Sequence, residues 1–523
     1  MKVHIPLEKR VLAALSLLAI VGLLAVGCTA TPTEVPATEV PAAEVPPTEP
    51  PLPPEPKVLN MSPTFDAKGL SPDMTNFWTK YGAVENLTTL DDDAALAPAL
   101  ALAWERTEDK IWEFELRQGV AFHNGEPFDA DVAAFALNRY FGLETASGPL
   151  KGAIATAKDD FTLQITTLDH APFLPHLFMN YTTGIMHPDA FGADGVATEV
   201  IGTGPYRVIE WVKDEHATLE KFADYWAGEP RIDTINLLRI PDPHTRATMV
   251  RTGELDIAEG IPIADAIDLE GDGNIQVFAT PQTRFRVIYL TNSAPPFDDV
   301  RVRQAINYAI DRDAMVDYVL EGYGTVAQAP FLDTLPWGNP GIDGYTYDPD
   351  KAKQLLAEAG QEQLSFRMMT YSSRAELPLL AQAAQAQLAE IGVTVDLQVT
   401  EYSALKKAVS DQDFDALLIA RGPLYGGYDP TALYSSDYTT DGSYNWSLYH
   451  NGEFDARLAE AQSNDDSAAR YAICQELEQD LVDQAVNAFL NYYVGLDAVR
   501  SNVSGFKPHT LELGSPMHLL DID

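Results

Sequence analysis

The sequence predicts an α/β fold, and three observations carry that prediction. First, "LSFRMMTY" (364–371) reads as a strand, and "ELPLLAQAAQAQLAEI" (376–391) has apolar residues on a helical period and stops at Gly392. "VTVDLQV" (393–399) then alternates Val393, Val395, Leu397 and Val399 as a half-buried strand. Strand, helix and strand in that order predict a βαβ unit, hence parallel pairing. Second, "YDPDKAKQLLAEAG" (347–360) is a helix with both ends written in. Asp348 fits the cap, Pro349 the first turn and Gly360 the position past the end. Ala352, Leu355, Leu356 and Ala359 give it one buried face. A similar helix is expected over 298–313, with Val302, Ala305, Ile306, Ala309 and Ile310 inside. Third, residues 58–523 are enough chain for two or more lobes with their own cores.

The first 57 residues stand apart. Lys2, Lys9 and Arg10 precede an uncharged apolar run, residues 11–27. A basic start and a short apolar core are the layout of a secretory signal. A membrane-spanning helix needs about 20 apolar residues, and this run is shorter. Ala25 and Gly27 stand before Cys28, and the seam resembles a bacterial lipobox. That resemblance implies a signal peptide over 1–27, cut off before a cysteine that takes a diacylglycerol. The usual lipobox prefers Leu where Ala25 stands. Beyond Cys28, "TEVPA", "TEVPA", "AEVPP" and "TEPPL" keep Glu34, Glu39, Glu44 and Glu49 in register. Proline removes backbone donors, and nothing here is apolar enough to bury. Residues 28–57 are therefore expected to be an extended leash, at about 3.1 Å per residue where it is polyproline II. A proline-rich ligand for a partner domain is the other reading of such a repeat.

The whole chain has 35 Lys and Arg against 77 Asp and Glu, a formal charge of −42. Residues 1–27 hold three of the basic residues and one acid, so the remainder carries −44. Nucleic acid is excluded as a partner, because phosphate binding needs clustered Lys and Arg. There are two cysteines, Cys28 and Cys474. If Cys28 is lipidated, no disulfide exists and Cys474 is expected to be a small buried apolar residue. No nucleophile elbow, zinc-protease helix or P-loop occurs. "GYGTVA" (322–327) follows a helix rather than a strand, so it fails the dinucleotide context. "DQDFDA" (411–416) has Ala416 where a calcium loop needs its glycine. The histidines form no close pair at metal-ligand spacing. These readings predict no enzyme and no cofactor.

Read in order, the local motifs become recognisable. They are "WEFELRQGVAFHNGEPFDADVAA" (112–134), "IGTGPYRVIEW" (201–211) and "ADYWAGEPRIDTINLLRIPDPHTRATMVRTGELDIAEG" (223–260). "NSAPPFDDVRVRQAINYAIDRDAMV" (292–316), "YDPDKAKQLLAEAG", "QLAEIGVTV" (387–395) and "SYNWSLYHNGEFDARLAEA" (443–461) follow. Together they resemble the peptide/nickel substrate-binding proteins of bacterial ABC importers, solute-binding family 5. The resemblance implies a two-lobed periplasmic-binding-protein fold with an interlobe ligand cleft and two hinge crossings. Lobe one would be 58–283 plus 493–523, and lobe two 284–492. "TRFRVIYLTN" (283–292) and "FLNYYVGL" (489–496) are the hinge candidates. It also implies a monomer working with ABC permease and ATPase subunits, held to the cell membrane by its lipid and facing the periplasm or cell exterior. Gly202, Gly204 and Pro205 read as a tight turn that shapes the fold rather than touching ligand. A lipid-anchored extracellular enzyme, or a ligand sensor on the same fold, are the alternatives of another class.

The ligand stretch departs from the family. The peptide branch reads G-W-x-x-D-x-x-D-P, and its first Asp holds the peptide's amino terminus. Aligned on Asp429-Pro430, that Asp position is Gly426 and the Trp position is Pro423. The metal-chelate branch reads more like R-T-W-G-A-P-Y-D-P. Arg421 and Tyr428-Asp429-Pro430 fit it with one extra residue between, and residues 431–449 lack its histidine. A small peptide or peptide-like ligand is expected, with a nickel or other metal chelate as the alternative. Arg421 would pair a ligand carboxylate through its planar fork. Tyr425, Tyr428 and Trp446 would supply walls, with Asp429 and Asn445 in the same stretch. Phe77, Trp78 and Tyr81 would face them from lobe one. The competing reading puts these aromatics in the core and Arg421 on the surface.

Overall fold

The computed structural model describes residues 55–146, 148–422 and 429–523. The signal, Cys28 and the proline repeat up to Pro54 lie outside the described residues, as do Tyr425 and Tyr428.

One sheet runs through the body. Its strands lie in the order Thr394–Thr400, Ser365–Tyr371, Ala416–Arg421, Ile275–Leu290, Asn487–Arg500, Ile257–Ala258, Val58–Ser62, Thr234–Leu238, His216–Lys221 and Tyr206–Val212. The two long strands, Ile275–Leu290 and Asn487–Arg500, pair antiparallel from Ile275↔Arg500 to Tyr289↔Asn487. Their register breaks between Pro281 and Phe285, where proline has no N–H to donate. On one side of that break, Leu59, Trp78, Phe114, Leu163, Ile235 and Ile257 belong to one apolar core. On the other, Phe285, Val287, Leu377, Leu417, Leu481 and Phe489 belong to a second. These are two lobes, and the paired long strands cross between them. A separate four-stranded antiparallel sheet, starting at Ala101–Glu108, adds to the first lobe.

The expected βαβ unit forms. Ser365–Tyr371 and Thr394–Thr400 pair parallel, with Phe366↔Val395 and Met368↔Leu397 in register. The helix Glu376–Glu390 between them buries Leu377, Leu380, Ala381, Ala384 and Leu388. Val393 and Val395 are buried as expected, but Val399 is 47% exposed. Its strand is the edge of the sheet, so the last residues run past the core. Asp348 caps the helix Pro349–Glu358 by accepting from Lys351 N at 2.8 Å, and Gly360 follows at φ +69°. The helix expected over 298–313 is shorter, Val300–Ala309, and Asp299 caps it. The chain turns at Ile310, and Arg312 buries its guanidinium on the carbonyls of Phe489 (2.6 Å) and Asn307 (3.1 Å). Gly202 and Gly204 shape the fold: a Cβ there would sit 2.1 Å from Ala83 O and 2.3 Å from Gly82 O. Cys474 is fully buried, and burial pushes its thiol pKa up.

Several residues cross the division the sequence suggests. Leu90, Ala94, Met179 and Leu511 pack into the second lobe's core although their stretches lie in the first. The lobes are therefore in contact through apolar side chains as well as through the crossing strands.

Candidate functional site

Three strands of the second lobe end together. Ser365–Tyr371 runs parallel to both Thr394–Thr400 and Ala416–Arg421. In open α/β sheets, ligands bind outside the carboxyl ends of such strands. These ends deliver Tyr371, Arg421 and, just beyond, Tyr402. The crossing strands add Arg284, Arg286 and Tyr493 beside them, since Phe285 pairs with both Arg421 and Tyr492. Arg374 and Glu376 come from the turn and helix after Tyr371.

The contacts at this edge are specific. The Arg286 guanidinium carbon lies 3.4 Å from the Tyr493 ring centroid, and Arg374 lies 5.3 Å from the same ring. Arg286 donates to Asn491 Oδ1 at 2.7 Å and to Glu376 Oε1 at 3.3 Å. The Tyr493 hydroxyl donates to the same Glu376 oxygen at 2.6 Å. Burial opposes the charge on Glu376, but Arg286 and Tyr493 outweigh it and hold the carboxyl below its ordinary range. Burial likewise opposes the Arg374 charge, and Tyr493 and Tyr371 outweigh it, so its pKa is raised. Tyr371 and Tyr402 stack edge to face, with ring centroids 5.1 Å apart. Arg284 Nε stands 3.6 Å from Glu512 Oε1, beyond hydrogen-bond range.

The first lobe meets this edge through charge. Lys80 Nζ and the Tyr81 hydroxyl both donate to Glu259 Oε2, at 2.7 and 2.8 Å. Burial opposes the Lys80 charge, and Glu259 more than compensates, so its pKa is raised. Asp497 accepts from Gly260 N at 3.0 Å; burial and the neighbouring Glu259 push its pKa up. Glu512 acts on Lys80 from one side and on Arg284 from the other. The segment that carries it is a strap. Thr283 N donates to Thr510 O at 3.3 Å, and Leu511 is buried in the second core. A cavity of about 540 Å³ lies under the strap, lined by Lys80, Glu85, Tyr225, His509 and His518 among others.

The residues expected at the site have mostly found partners inside the chain. Phe77 and Trp78 are 1% and 0% exposed in the first core, and the Trp78 indole donates to Gly69 O at 2.9 Å. Packing has taken the faces expected to meet a ligand, which corrects that assignment. Tyr81 is buried on Glu259. Arg421 donates twice to Asp437, Nε at 2.7 Å and Nη2 at 2.6 Å. Burial opposes its charge, but Asp437 holds its pKa above the usual value. The fork expected to grip a ligand carboxylate already grips one of the chain's own. Asp429 caps the helix Pro430–Asp437 and pairs with Arg470 Nε at 2.8 Å, with both side chains buried. Asn445 closes a turn, bonding Tyr449 N (3.0 Å) and O (2.7 Å). Trp446 packs between Tyr444 and Tyr289, at 5.4 and 6.1 Å. Arg374 and Tyr371 were not singled out from sequence, and Arg284, Arg286 and Tyr493 were named only within the hinge stretches. The signal was there in "TRFR": two arginines inside a strand of a strongly acidic chain.

Two α/β lobes, joined by a pair of crossing strands and meeting at an arginine- and tyrosine-lined edge, are the architecture of a two-lobed binding protein. Residues 95–445 match the family model of bacterial extracellular solute-binding proteins, family 5, and the chain belongs to that family. It is 29% identical over 462 residues to the glutathione-binding protein GsiB of Pectobacterium atrosepticum, covering 82% of this chain and 86% of that one. It is 28% identical over 447 residues to a dipeptide-binding protein of Escherichia coli, covering 78% and 83%. The crystal structure of NikA from Brucella suis in complex with Fe(III)-EDTA superposes with a TM-score of 0.81 at 25% identity, covering 89% of this chain and all of that one.

Proposed function

We propose that this chain captures a small peptide or peptide-like ligand between its lobes and delivers it to the permease of an ABC importer. The arginine- and tyrosine-lined edge where the crossing strands leave the second lobe carries this reading. A ligand there touches both lobes only when they are together, so its binding energy shifts an open–closed equilibrium. The hinge is the stretch around Pro281–Phe285 and Tyr492–Val494, where the crossing strands lose register. The glutathione- and dipeptide-binding relatives support the peptide class. The chain works as a binding protein and makes or breaks no bond.

The front end fits the same role. Cys28 is the lipid attachment point, the signal ends before it, and the proline repeat holds the body off the membrane. Among the described residues no helix is long and apolar enough to cross a membrane. Stable anchoring needs at least two acyl chains, since one gives only marginal binding.

The test is small-angle scattering and calorimetry on the mature protein, against a dipeptide and tripeptide pool and against nickel–histidine complexes. The expected result is compaction and heat with peptides. Response to the metal complex alone moves the ligand to the chelate class, and a chemically altered peptide supports an enzyme. Cys28→Ala should change the processing of the chain and its membrane retention; if both are unchanged, the anchor reading falls.

A further inference from the structure

We infer that His176 is a proton-sensitive latch on the seam between the lobes: the neutral ring lets the seam close on Tyr471, and the protonated ring opens it. The inference uses the two-lobed architecture and does not depend on which ligand the cleft takes.

The geometry comes first. His176 lies in a short helix, Leu174–Leu177, whose leucines are buried in the first core. Its ring reaches the second lobe, with Nε2 at 3.4 Å from the Tyr471 hydroxyl. Tyr471 belongs to the helix Ser467–Asp483 and packs against the second core, its ring 5.9 Å from Trp337. Beside it, the buried Arg470 donates to Asp429 at 2.8 Å and also hydrogen-bonds Tyr471. Burial keeps the Tyr471 hydroxyl protonated, with its pKa pushed up to about 12. Its oxygen accepts from Arg470, so its own O–H is left to donate to His176 Nε2. At 3.4 Å that contact is long, and it works only while Nε2 carries no hydrogen. The one proton of the neutral ring then sits on Nδ1, which is buried with no hydrogen-bond partner. A second proton would have to sit on Nε2, facing the Tyr471 hydroxyl with Arg470 behind it. The closed seam fits the neutral ring and offers no acceptor to the charged one.

The charges around the ring agree. Burial is the largest influence and lowers the ring's pKa below its ordinary 6.5. From the second lobe Asp429 favours the imidazolium, and its ion partner Arg470 opposes it. From its own stretch the Phe173 carbonyl, which falls short of a hydrogen bond to the ring, favours it. When the lobes part, the ring meets water and returns to its ordinary value. The closed form therefore binds fewer protons than the open form, so closure is favoured above pH 6.5 and weakens as pH falls below it. One proton shifts the open–closed ratio by at most about tenfold at pH 5.5. His170, also at the seam, works in the opposite sense. It stands between Asp109 at 2.8 Å and Asp465 at 3.3 Å, with Arg106 at 2.9 Å, so a charge on it would draw Asp465 in.

The experiment is small-angle scattering on the ligand-free mature protein at pH 7.5 and pH 5.5. The wild type should have the larger radius of gyration at pH 5.5, as a severalfold shift toward the open form requires. His176→Gln and His176→Phe cannot gain the charge and should keep one radius at both pH values. His170→Gln should expand in acid at least as much as the wild type. The wild-type comparison needs no variant, and the glutamine and phenylalanine changes replace the ring in opposite ways, so poor folding of one leaves the other. A wild-type radius that is equal at the two pH values overturns the inference. An acid expansion that persists undiminished in a folded His176 variant overturns it as well. Contraction of the wild type in acid would mean that His170 and Asp465 govern the seam, which also overturns it.

Discussion

At the scale of single residues, the chain holds buried charges that only tertiary structure explains. Glu478 is fully buried and accepts from Phe331 N at 3.2 Å and Asn339 N at 3.1 Å. Burial pushes its carboxyl up to about 8, against the pull of those two donors. The folded chain therefore holds a proton that the unfolded chain releases from its ordinary value upward. More protons bound in the folded state means that stability falls as pH rises through that window, up to about 8. The loss is on the order of a few kcal/mol, at ~1.4 kcal/mol per pH unit. Glu478→Gln keeps an acceptor and removes the titration. Urea midpoints at pH 5 and pH 8.5 should converge in that variant relative to the wild type. An unchanged difference between the two pH values would exclude Glu478 as the source. Arg421 shows why such groups were not legible. Its partner Asp437 lies on the next helix, and nothing in "RGPLYGGYDP" says that the fork is already filled.

At the scale of elements, what was local was legible. The helix Pro349–Glu358 was readable because its cap, its first-turn proline and its terminal glycine lie within its own sequence. The βαβ unit was readable because its helix period and strand alternation are nearest-neighbour patterns. The site was harder, since its members come from segments far apart in the chain, among them 284–286, 371–376, 402, 421 and 491–493, and meet only at a sheet edge. Phe77 and Trp78 illustrate the limit: aromatic stripes look the same whether they line a core or a cleft. The cap also gives a measurable quantity. Asp348→Ala removes the acceptor for Lys351 N and should cost about 1 kcal/mol. A chemical denaturation midpoint that does not move would mean that the helix start is held by packing alone.

At the scale of the molecule, function depends on how firmly the lobes hold each other without ligand. Far along the chain from the crossing strands, the first lobe's four-stranded sheet reaches the second lobe through charge. Arg106 Nη2 donates to Asp465, which sits between the helices Gly452–Gln462 and Ser467–Asp483. His170 lies between Asp109 at 2.8 Å and the same Asp465 at 3.3 Å. Arg106 Nη1 is 2.9 Å from the His170 ring. Asp465 is thus the single acceptor that two first-lobe side chains share. The cluster is partly exposed, so its contribution is small, roughly 1 kcal/mol or less. Even so, it acts on the closed form alone, and that amount shifts the open–closed ratio by about fivefold. Asp465→Ala should therefore enlarge the radius of gyration of the ligand-free protein and weaken peptide binding by up to that factor, without touching the site. Raising the salt concentration should open the wild type toward the variant, because partly exposed pairs are screened. Scattering curves that coincide at low and high salt, for both proteins, would show that apolar contacts such as Leu90 and Leu511 on the second core hold the lobes together by themselves.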